Sequence, residues 1–299
     1  MAIVKLLHNP GAGPDDHERD DLTSLIEKAG HECRYSSTKS LFWKNLDKDL
    51  DFLVVGGGDG TVRRITSELL DRKVLDKTYP IALLPLGTAN NIAKTLGITG
   101  ETETIINSWN NVNIKKYDVG RIHEIKQEPF FLESFGYGLF PALMREMESS
   151  RNEELNTPEK KITAARSVLQ QLTRDYAASP CSLEIDGKDA SGKFLLVEIM
   201  NIKSIGPNLF LAPDADPGDG YFDVVVVRED ERDKFLKFID SRESVENGAV
   251  QFRTVRAKSI KIRWDGSDAH VDDKTIRLAA GKEICVDIKA GLLEFLVAP

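Results

Sequence analysis

Apolar residues in the first 120 positions follow two patterns that alternate along the chain. Short uninterrupted apolar runs, typical of strands buried in a parallel sheet, are separated by stretches with apolar residues at helical spacing. The predicted strands are 3–7, 32–35, 51–55 and 81–84, and the predicted helices are 15–29, 61–73 and 90–96. This alternation is typical of an α/β fold built on a parallel sheet.

Beyond residue 118 the pattern changes to longer segments rich in β-branched and aromatic residues. The predicted strands are 130–135, 194–200, 221–227, 259–264, 284–288 and 292–297, with helices at 158–176 and 231–239. The polar stretch 149–158 predicts a loop. Long strands of this kind favour a mainly antiparallel domain. We therefore predict an α/β domain over residues 1–121 and a β domain with helical inserts over residues 122–292.

Composition narrows the class of protein. The chain has 299 residues, 41% hydrophobic and 29% charged, as in ordinary globular proteins. A net charge of −8 argues against nucleic-acid binding driven by bulk charge. Three widely spaced cysteines, no signal-peptide pattern and no apolar run of membrane-spanning length favour a cytoplasmic protein, with membrane contact, if any, only peripheral.

Three glycine-bearing turns each follow a predicted strand, at 9–13, 56–61 and 85–90. Glycine lets backbone N–H groups approach an anion closely, and the helix that follows adds its dipole. The carboxyl ends of parallel strands share one edge of a sheet, so one ligand can use all three turns. Each turn taken alone is also explained as a tight turn or helix cap. The three together favour a site for a polyphosphate.

The second turn also contains a carboxylate, Asp59. A carboxylate repels phosphate unless a cation lies between them. Asp59 is therefore a candidate for organising Mg²⁺ against a nucleoside triphosphate or for accepting a hydroxyl proton, two tasks that kinases need. The chain has neither GxxxxGK[ST] nor a spaced GxGxxG with an acidic partner, so a P-loop and a simple dinucleotide fold are unsupported.

The three turns are part of a longer, ordered set of motifs. The set resembles the diacylglycerol kinase catalytic-domain family, which includes bacterial lipid kinases and the sphingosine and ceramide kinases. Its glycine-aspartate run is shared with the NAD kinases. The motifs, in order, are Asn9-Pro10 with Gly13, Gly57-Gly58-Asp59-Gly60-Thr61, Pro85 with Gly87-Thr88-Ala89-Asn90, Tyr117-Asp118-Val119-Gly120, Phe135-Gly136-Tyr137-Gly138, Ala212-Pro213-Asp214-Ala215 and Asp219-Gly220-Tyr221-Phe222-Asp223.

The resemblance implies an architecture and a reaction. It implies an N-terminal nucleotide-binding α/β domain and a C-terminal antiparallel β-sandwich, with residues 293–299 returning to the first domain. It also implies a kinase that uses ATP and Mg²⁺ to phosphorylate a lipid hydroxyl. The ATP contacts carried over by motif are Asn9, Pro10, Gly11, Ala12, Gly13, Thr38, Gly57, Gly58, Asp59, Gly60, Thr61, Val62, Arg63, Arg64, Gly87, Thr88 and Asn90.

The resemblance also implies a cation site and a polar network. Asp216 and Asp219 match side-chain ligands of the family's structural Mg²⁺ loop, and Tyr221 matches a carbonyl ligand. Oxygen ligands on a tight loop suit Mg²⁺. The same stretch is also typical of a turn that enters a strand. Asp118 is expected to supply a carboxylate to the family's polar network.

The chain departs from the family near its C-terminus. The family usually has Asp-Gly-Glu, whose Glu is the proposed general base, whereas Lys274 stands at that position here. A protonated lysine cannot accept a proton, so Asp272 or Asp273 is expected to replace it, and we take Asp272 as the second catalytic candidate. The partial match 265–267 predicts a hairpin turn. A second departure, Arg63-Arg64 in place of Asn-Glu, predicts a phosphate contact or a solvated helix surface.

Two alternatives to a lipid kinase stay open. The shared glycine-aspartate run allows a kinase of NAD or another soluble hydroxyl compound, and Lys274 allows an ATP-binding regulatory relative without turnover. The expected partners are a nucleotide and a lipid, with no nucleic acid. The sequence leaves a homodimer and the identity of the acceptor open.

Overall fold

The computed structural model describes residues 1–13, 17–71, 77–149, 157–241 and 252–299. The chain forms two compact units, residues 1–117 with 293–299, and residues 118–292. Most of the predicted loop 149–158 lies outside the described residues, as do parts of the predicted helices 15–29 and 61–73. In the described ranges no helix is long and apolar enough to cross a membrane.

The first unit alternates strands and helices. In chain order its elements are β1 (Ile3–His8), α1 (Arg19–Lys28), β2 (Glu32–Ser37), β3 (Phe52–Gly57), α2 (Asp59–Leu70), β4 (Ile81–Pro85), α3 (Asn91–Thr95), α4 (Thr102–Ser108) and β5 (Asn113–Ile122), the last of which continues beyond residue 117.

The strands of the first unit form a parallel sheet in the order β4-β3-β1-β2. Leu6 in β1 lies between Val54 of β3 and Tyr35 of β2 in the register, and both Leu6 and Val54 are fully buried. Phe295, close to the C-terminus, pairs in parallel with Ile81 of β4. Central strands buried on both faces explain the unbroken apolar runs, and the predicted α/β domain is confirmed.

Helix α2 begins at Asp59, two residues before its predicted start. Gly58 is its N-cap, with φ −92° and ψ −175°. Asp59 therefore lies in the first turn, where a negative charge is favoured by the helix dipole. The glycine run thus contributes both the end of β3 and the start of α2.

The second unit is mainly β. Its remaining elements are β6 (Phe130–Phe131), β7 (Ser134–Gly138), α5 (Leu139–Ser149), α6 (Pro158–Asp175), β8 (Ser179–Ile185), β9 (Lys188–Asp189), β10 (Gly192–Met200), β11 (Phe222–Arg228), a 3₁₀ turn (Glu229–Glu231), α7 (Arg232–Asp240), β12 (Arg253–Ala257), β13 (Ser259–Trp264), β14 (Asp268–Val271), β15 (Lys274–Arg277) and β16 (Glu283–Val297), which runs on into the first unit.

Strands of the second unit pair antiparallel, in the order β15-β14-β7-β10-β8-β13-β16, and β11 pairs with both β10 and β12. Alternate residues of β11 enter two different cores. Val224 and Val226 join a cluster with Phe135 and Ile260. Val225 and Val227, on the opposite face, pack against the helices. The alternation follows from the two-residue period of a strand. The predicted antiparallel domain is confirmed.

Two predictions about the end of the chain are wrong. Residues 284–288 and 292–297 form one strand, β16, because Gly291 adopts φ +60° and lets the strand continue. Residues 265–267 are not a hairpin turn, because β13 pairs with β8 and β16 while β14 pairs with β7 and β15. The hairpin turn is Asp272-Asp273, which joins β14 to β15.

Candidate functional site

The three glycine turns of the first unit follow β1, β3 and β4 and pack against one another. A Cβ built on Gly58 would lie 3.0 Å from the Cα of Gly87, and a Cβ on Gly87 would overlap the Gly58 backbone. Gly13 has φ +69°, and a Cβ there would overlap the Leu86 carbonyl. The turns therefore meet backbone to backbone, in a way that side chains would prevent.

Side-chain amides complete the contacts between these turns. Asn9 donates from Nδ2 to Thr61 Oγ1 at 3.1 Å, and its Oδ1 accepts from the Gly11 N–H at 3.2 Å. Asn90, at φ +53°, accepts from the Gly87 N–H at 3.0 Å and donates to the Gly87 carbonyl at 2.8 Å. These predicted site residues therefore shape the turns that carry them. Pro10 is exposed at the tip of the first turn, and Ala12 is buried.

Asp59 connects the second turn to the third. Its Oδ2 accepts from the Asn91 N–H at 2.8 Å, and its Oδ1 accepts from the Ile92 N–H at 3.0 Å. The carboxylate thus holds the start of α3. The positively charged Lys94 lies close enough to interact with it. Burial lowers the pKa of Lys94 and Asp59 raises it, with burial the larger effect.

The remaining predicted nucleotide contacts differ in how exposed their side chains are. Thr38 is 2% exposed, and its N–H donates to the His8 carbonyl at 2.8 Å. Val62 and Arg63 are buried along α2. Arg64 is exposed, and its guanidinium lies 5.5 Å from the centre of the Trp43 ring. The predicted contact of Arg64 with ATP stays a prediction. Gly57, Gly60 and Thr88 lie within the second and third turns.

Lys39 is a basic residue that sequence reasoning did not select. It follows Thr38 directly, and a Cβ built on Gly11 would lie 3.5 Å from Lys39 Nζ. An ammonium group therefore lies beside the first turn, where a phosphate oxygen would be attracted. The sequence signal was weak because one lysine in a polar loop has no characteristic spacing.

A chain of hydrogen bonds ends on the first turn. The Ala12 carbonyl can only accept, so His17 donates to it from Nε2, at 2.7 Å. In its neutral form His17 then accepts at Nδ1 from His8 Nε2, at 2.9 Å, and His8 Nδ1 accepts from the Tyr35 hydroxyl, at 3.2 Å. Burial, and then His17, lower the pKa of His8 to about 4. His8 is therefore neutral at physiological pH.

Within the second unit, Asp118 contacts the predicted Mg²⁺ loop. Its Oδ2 accepts from the Gly220 N–H at 2.7 Å and its Oδ1 from the Gly291 N–H at 2.6 Å. Asp118 is 1% exposed. Burial raises its pKa, the two N–H donors oppose this, and Asp219 and Asp216 raise it again. Asp118 therefore connects the loop 216–221 with Gly291, and its place in a polar network of the site stays a prediction.

The predicted cation ligands have suitable chemistry and are engaged within their own loop. Asp216 accepts from the Gly218 N–H at 2.9 Å, and Asp219 accepts from the Tyr221 N–H at 2.9 Å and forms an ion pair with Arg256. Burial, with repulsion from Asp219, raises the pKa of nearby Asp223 to about 6. In the described ranges no three His, Cys, Asp or Glu side chains are arranged to hold a metal. A cation here would rely on two carboxylates, a carbonyl and water.

The carboxylate of Asp272 is turned into the protein. Its Oδ1 accepts from the N–H groups of Leu132, Glu133 and Ser134 at 3.1, 2.8 and 3.2 Å, and its Oδ2 also accepts from Leu132. The residue is 7% exposed and adopts φ +51°, which Asp tolerates in a tight turn. This geometry gives Asp272 the structural task of fixing the β6–β7 connection.

Lys274, at the position of the family's glutamate, faces a carboxylate. Its Nζ lies 2.6 Å from Glu128 Oε1, and the Glu128 side chain is only 14% exposed. Sequence reasoning missed Glu128, because nothing in the sequence signals a contact across 146 residues. Glu128, from a different part of the unit, thus places a carboxylate beside the position where the family has its glutamate.

A buried ion pair supports the same turn. His270 Nδ1 donates to the Asp272 carbonyl at 2.9 Å, and His270 Nε2 lies 2.9 Å from Glu198 Oε2. Burial lowers the pKa of His270, but Glu198 and the Asp272 carbonyl outweigh it and the pKa is raised. The register places both side chains opposite Gly136, where a Cβ would overlap Glu198. The glycine in this motif therefore makes room for the pair.

Comparisons with known proteins agree with these motifs. Residues 4–122 match the family model of the diacylglycerol kinase catalytic domain, and residues 147–276 match the YegS C-terminal NAD kinase beta sandwich-like domain. Over these ranges the chain matches the diacylglycerol kinase family. The predicted resemblance to this family and the predicted C-terminal β-sandwich are confirmed.

Curated relatives and solved structures extend the comparison. A diacylglycerol kinase of Bacillus subtilis is 24% identical over 79% of this chain and 77% of its own, and one of Mycobacterium tuberculosis is 23% identical over 91% and 84%. A probable YegS-like lipid kinase of Alcanivorax borkumensis is 30% identical over 62% and 58%.

Similarity in fold covers the whole chain. A Bacillus anthracis diacylglycerol kinase structure matches 100% of this chain and 98% of its own, with TM-score 0.74 and 19% identity. An Archaeoglobus fulgidus NAD kinase in complex with ATP matches 99% and 93%, with TM-score 0.55 and 12% identity. At these identities the structures establish the fold alone.

Proposed function

We propose that this kinase transfers the γ-phosphate of ATP to the hydroxyl of a membrane lipid of the diacylglycerol class, with Mg²⁺ as cofactor. The observation that carries the proposal is the backbone-to-backbone packing of the three glycine turns in the first unit. Glycine keeps side chains out of the space where the turns meet, and α2, whose N-terminus favours an anion, begins at the second turn. The relatives named diacylglycerol kinase support the choice of acceptor.

The triphosphate would lie along the three turns. Lys39 beside Gly11 offers a positive charge, and the start of α2 offers a helix dipole. Asn9, Thr61 and Asn90 keep the turns in shape, so the backbone is organised before the nucleotide binds. Such organisation is what phosphoryl transfer needs most, because its catalysis depends on positioning and charge stabilisation.

Two places on the chain fit Mg²⁺. Asp59 would hold the ion that accompanies ATP, since its partly exposed carboxylate connects the second turn to the third, and Asp216, Asp219 and the Tyr221 carbonyl would hold a structural ion. When bound, the catalytic ion neutralises charge on the phosphate oxygens. Asp59 also keeps α3 against the second turn, so one residue would couple the cation to the third turn.

The second unit holds the carboxylates nearest to the family's base position. Asp272 accepts from three backbone N–H groups, so Glu128 is the partly exposed carboxylate beside Lys274. For the lipid chains, an open groove of about 490 Å³ lies along α6, lined by Val168, Leu172, Tyr176 and Ala177 together with Glu146, Gln171 and Asp175. Its apolar part suits acyl chains.

The test is transfer of γ-labelled phosphate from ATP to diacylglycerol in mixed micelles with Mg²⁺. The unaltered protein should label the lipid. Asp59→Asn should lower the rate at least about 100-fold, because it removes the charge that holds the cation. Asp20→Asn, on the exposed start of α1, is the matched control and should retain full activity. No labelled lipid, with the protein folded and NAD offered as a second acceptor, would contradict the proposal.

A second candidate function is ATP binding without transfer. The buried, fully engaged Asp272 and the Lys274–Glu128 pair favour it, because they leave no free carboxylate at the family's base position. In that case MgATP binds and neither diacylglycerol nor NAD is labelled.

A further inference from the structure

The connection between β2 and β3 begins with a tight, hydrogen-bonded turn over residues 37–45. The Ser40 N–H donates to the Ser37 carbonyl at 3.0 Å, and the Asn45 N–H donates to the Phe42 carbonyl at 3.1 Å. The Ser40 hydroxyl accepts from the Phe42 N–H at 3.2 Å. These bonds give the turn a defined shape, so the side chains at its tip have fixed positions.

The tip carries two adjacent apolar side chains that face solvent. Leu41 is 91% exposed and Phe42 is 72% exposed, whereas Trp43 beside them is only 3% exposed. Burial of Trp43, covered by the Arg64 guanidinium, anchors the turn to the first unit. Single exposed apolar residues are common on soluble proteins. An adjacent pair, presented on an anchored turn, is the unusual feature.

The charges around the tip suit an anionic surface. Lys39 and Lys44 flank the apolar pair in sequence, and Lys48 follows. The acidic residues of the same connection are already engaged, with Asp47 and Asp49 bound by Arg34 at 3.1 and 2.7 Å. Lys44 is partly neutralised by Glu68, at 2.5 Å. In the described ranges Lys39 and Lys48 form no ion pair, so the rim of the tip is positive.

Size distinguishes a lipid surface from a protein partner. Two side chains offer on the order of 300 Å², well below the roughly 800 Å² that each side of a stable protein interface buries. One leucine and one phenylalanine beside lysines are, however, enough to enter the boundary between headgroups and acyl chains. We infer that Leu41 and Phe42 insert into an anionic bilayer, with Lys48 at the headgroups.

Docking through this turn would bring the nucleotide site to the membrane. Lys39 lies beside Gly11 of the first glycine turn, only two residues from Leu41. The purpose of the docking rests on the proposed lipid kinase function, since a lipid acceptor stays in the bilayer. The docking itself does not require turnover, and the two can therefore be tested separately.

The experiment measures binding of the full chain to vesicles of phosphatidylcholine with phosphatidylglycerol, without diacylglycerol or ATP. The double variant Leu41→Ser/Phe42→Ser should bind about tenfold or more weakly than the unaltered protein. Ile114→Ser removes another exposed apolar side chain of the first unit and should leave binding unchanged. Phe42→Trp should bind and shift its fluorescence to the blue on adding vesicles.

Three results would overturn the inference. They are an unaltered protein that does not bind the vesicles, a double variant that binds as tightly, and self-association that the double variant abolishes in the absence of lipid. Thermal unfolding of the double variant should match that of the unaltered protein, because both side chains are exposed. Vesicle binding without phosphate transfer would support the docking turn and contradict the kinase proposal, and transfer without vesicle binding would do the reverse.

Discussion

Asp59 in the first unit and Asp272 in the second each lie in a motif compared with the same family, yet the two carboxylates have different surroundings. Asp59 is partly exposed, and each of its oxygens accepts one backbone N–H. Asp272 is buried, and its Oδ1 alone accepts three. A carboxylate can take up a cation or a proton only where the fold leaves it accessible, and Asp59 is the more accessible of the two. The residue type at a motif position does not by itself decide whether the carboxylate is accessible.

The largest expected effect comes from breaking the support of Asp272. His270→Ala leaves Glu198 buried without its partner, and we expect the free energy of unfolding in urea to fall by about 3–5 kcal/mol. Binding of MgATP to the folded variant should persist, because the glycine turns lie in the other unit. Adding Glu198→Gln should recover part of the stability. A loss below about 1 kcal/mol would show that the pair is dispensable.

A smaller effect concerns the first glycine turn and pH. The folded protein holds His8 neutral down to about pH 4, whereas the unfolded chain protonates it near its usual value of 6.5. Stability from His8 is therefore complete above about pH 6.5 and is lost as the pH falls toward 4, by up to about 3 kcal/mol. The difference between the unaltered protein and His8→Gln, measured by denaturation at each pH, should show this slope. A difference independent of pH would contradict the neutral chain from Tyr35 to Ala12.

The smallest expected effect concerns Lys274, which stands at the position of the family's general base. Lys274→Glu replaces a half-exposed ion pair with two carboxylates, so stability should fall by about 1 kcal/mol, and less in 1 M salt. Lys274→Gln is the control without a new charge. If the natural chain binds ATP without transfer, Lys274→Glu should gain labelling of diacylglycerol. Equal stability at low and high salt would indicate that Glu128 does not contact residue 274.

Sequence reasoning was most accurate where burial and spacing act locally. Three of the four parallel strands, β1, β3 and β4, were predicted because they are apolar runs, and the three turns because glycine and strand ends coincide. Strands β8 and β12 were missed because polar residues on their exposed positions weaken the apolar signal, and β14 and β15 because each has only 4 residues. Likewise β5 was missed, although five of its residues are buried.

The unpredicted parts of the site depend on distant contacts. Lys39 reaches Gly11, His17 reaches Ala12, and Glu128 reaches Lys274. Each contact is set by the path of the chain, which spacing does not reveal. The backbone partners of Asp272 could not be predicted for the same reason.

The central claim is that the three glycine turns form one binding site for the phosphates of ATP. Calorimetric titration with MgATP tests it most directly, comparing the unaltered protein with Gly87→Ala and with Gly97→Ala. A Cβ on Gly87 would overlap the Gly58 backbone, whereas one on Gly97 has nothing within 4 Å and costs only the backbone strain of φ +73°, about 1–2 kcal/mol. The account predicts that the unaltered protein and Gly97→Ala bind MgATP, and that Gly87→Ala binds at least about tenfold more weakly. Equal binding by all three, or no binding by any, would contradict it.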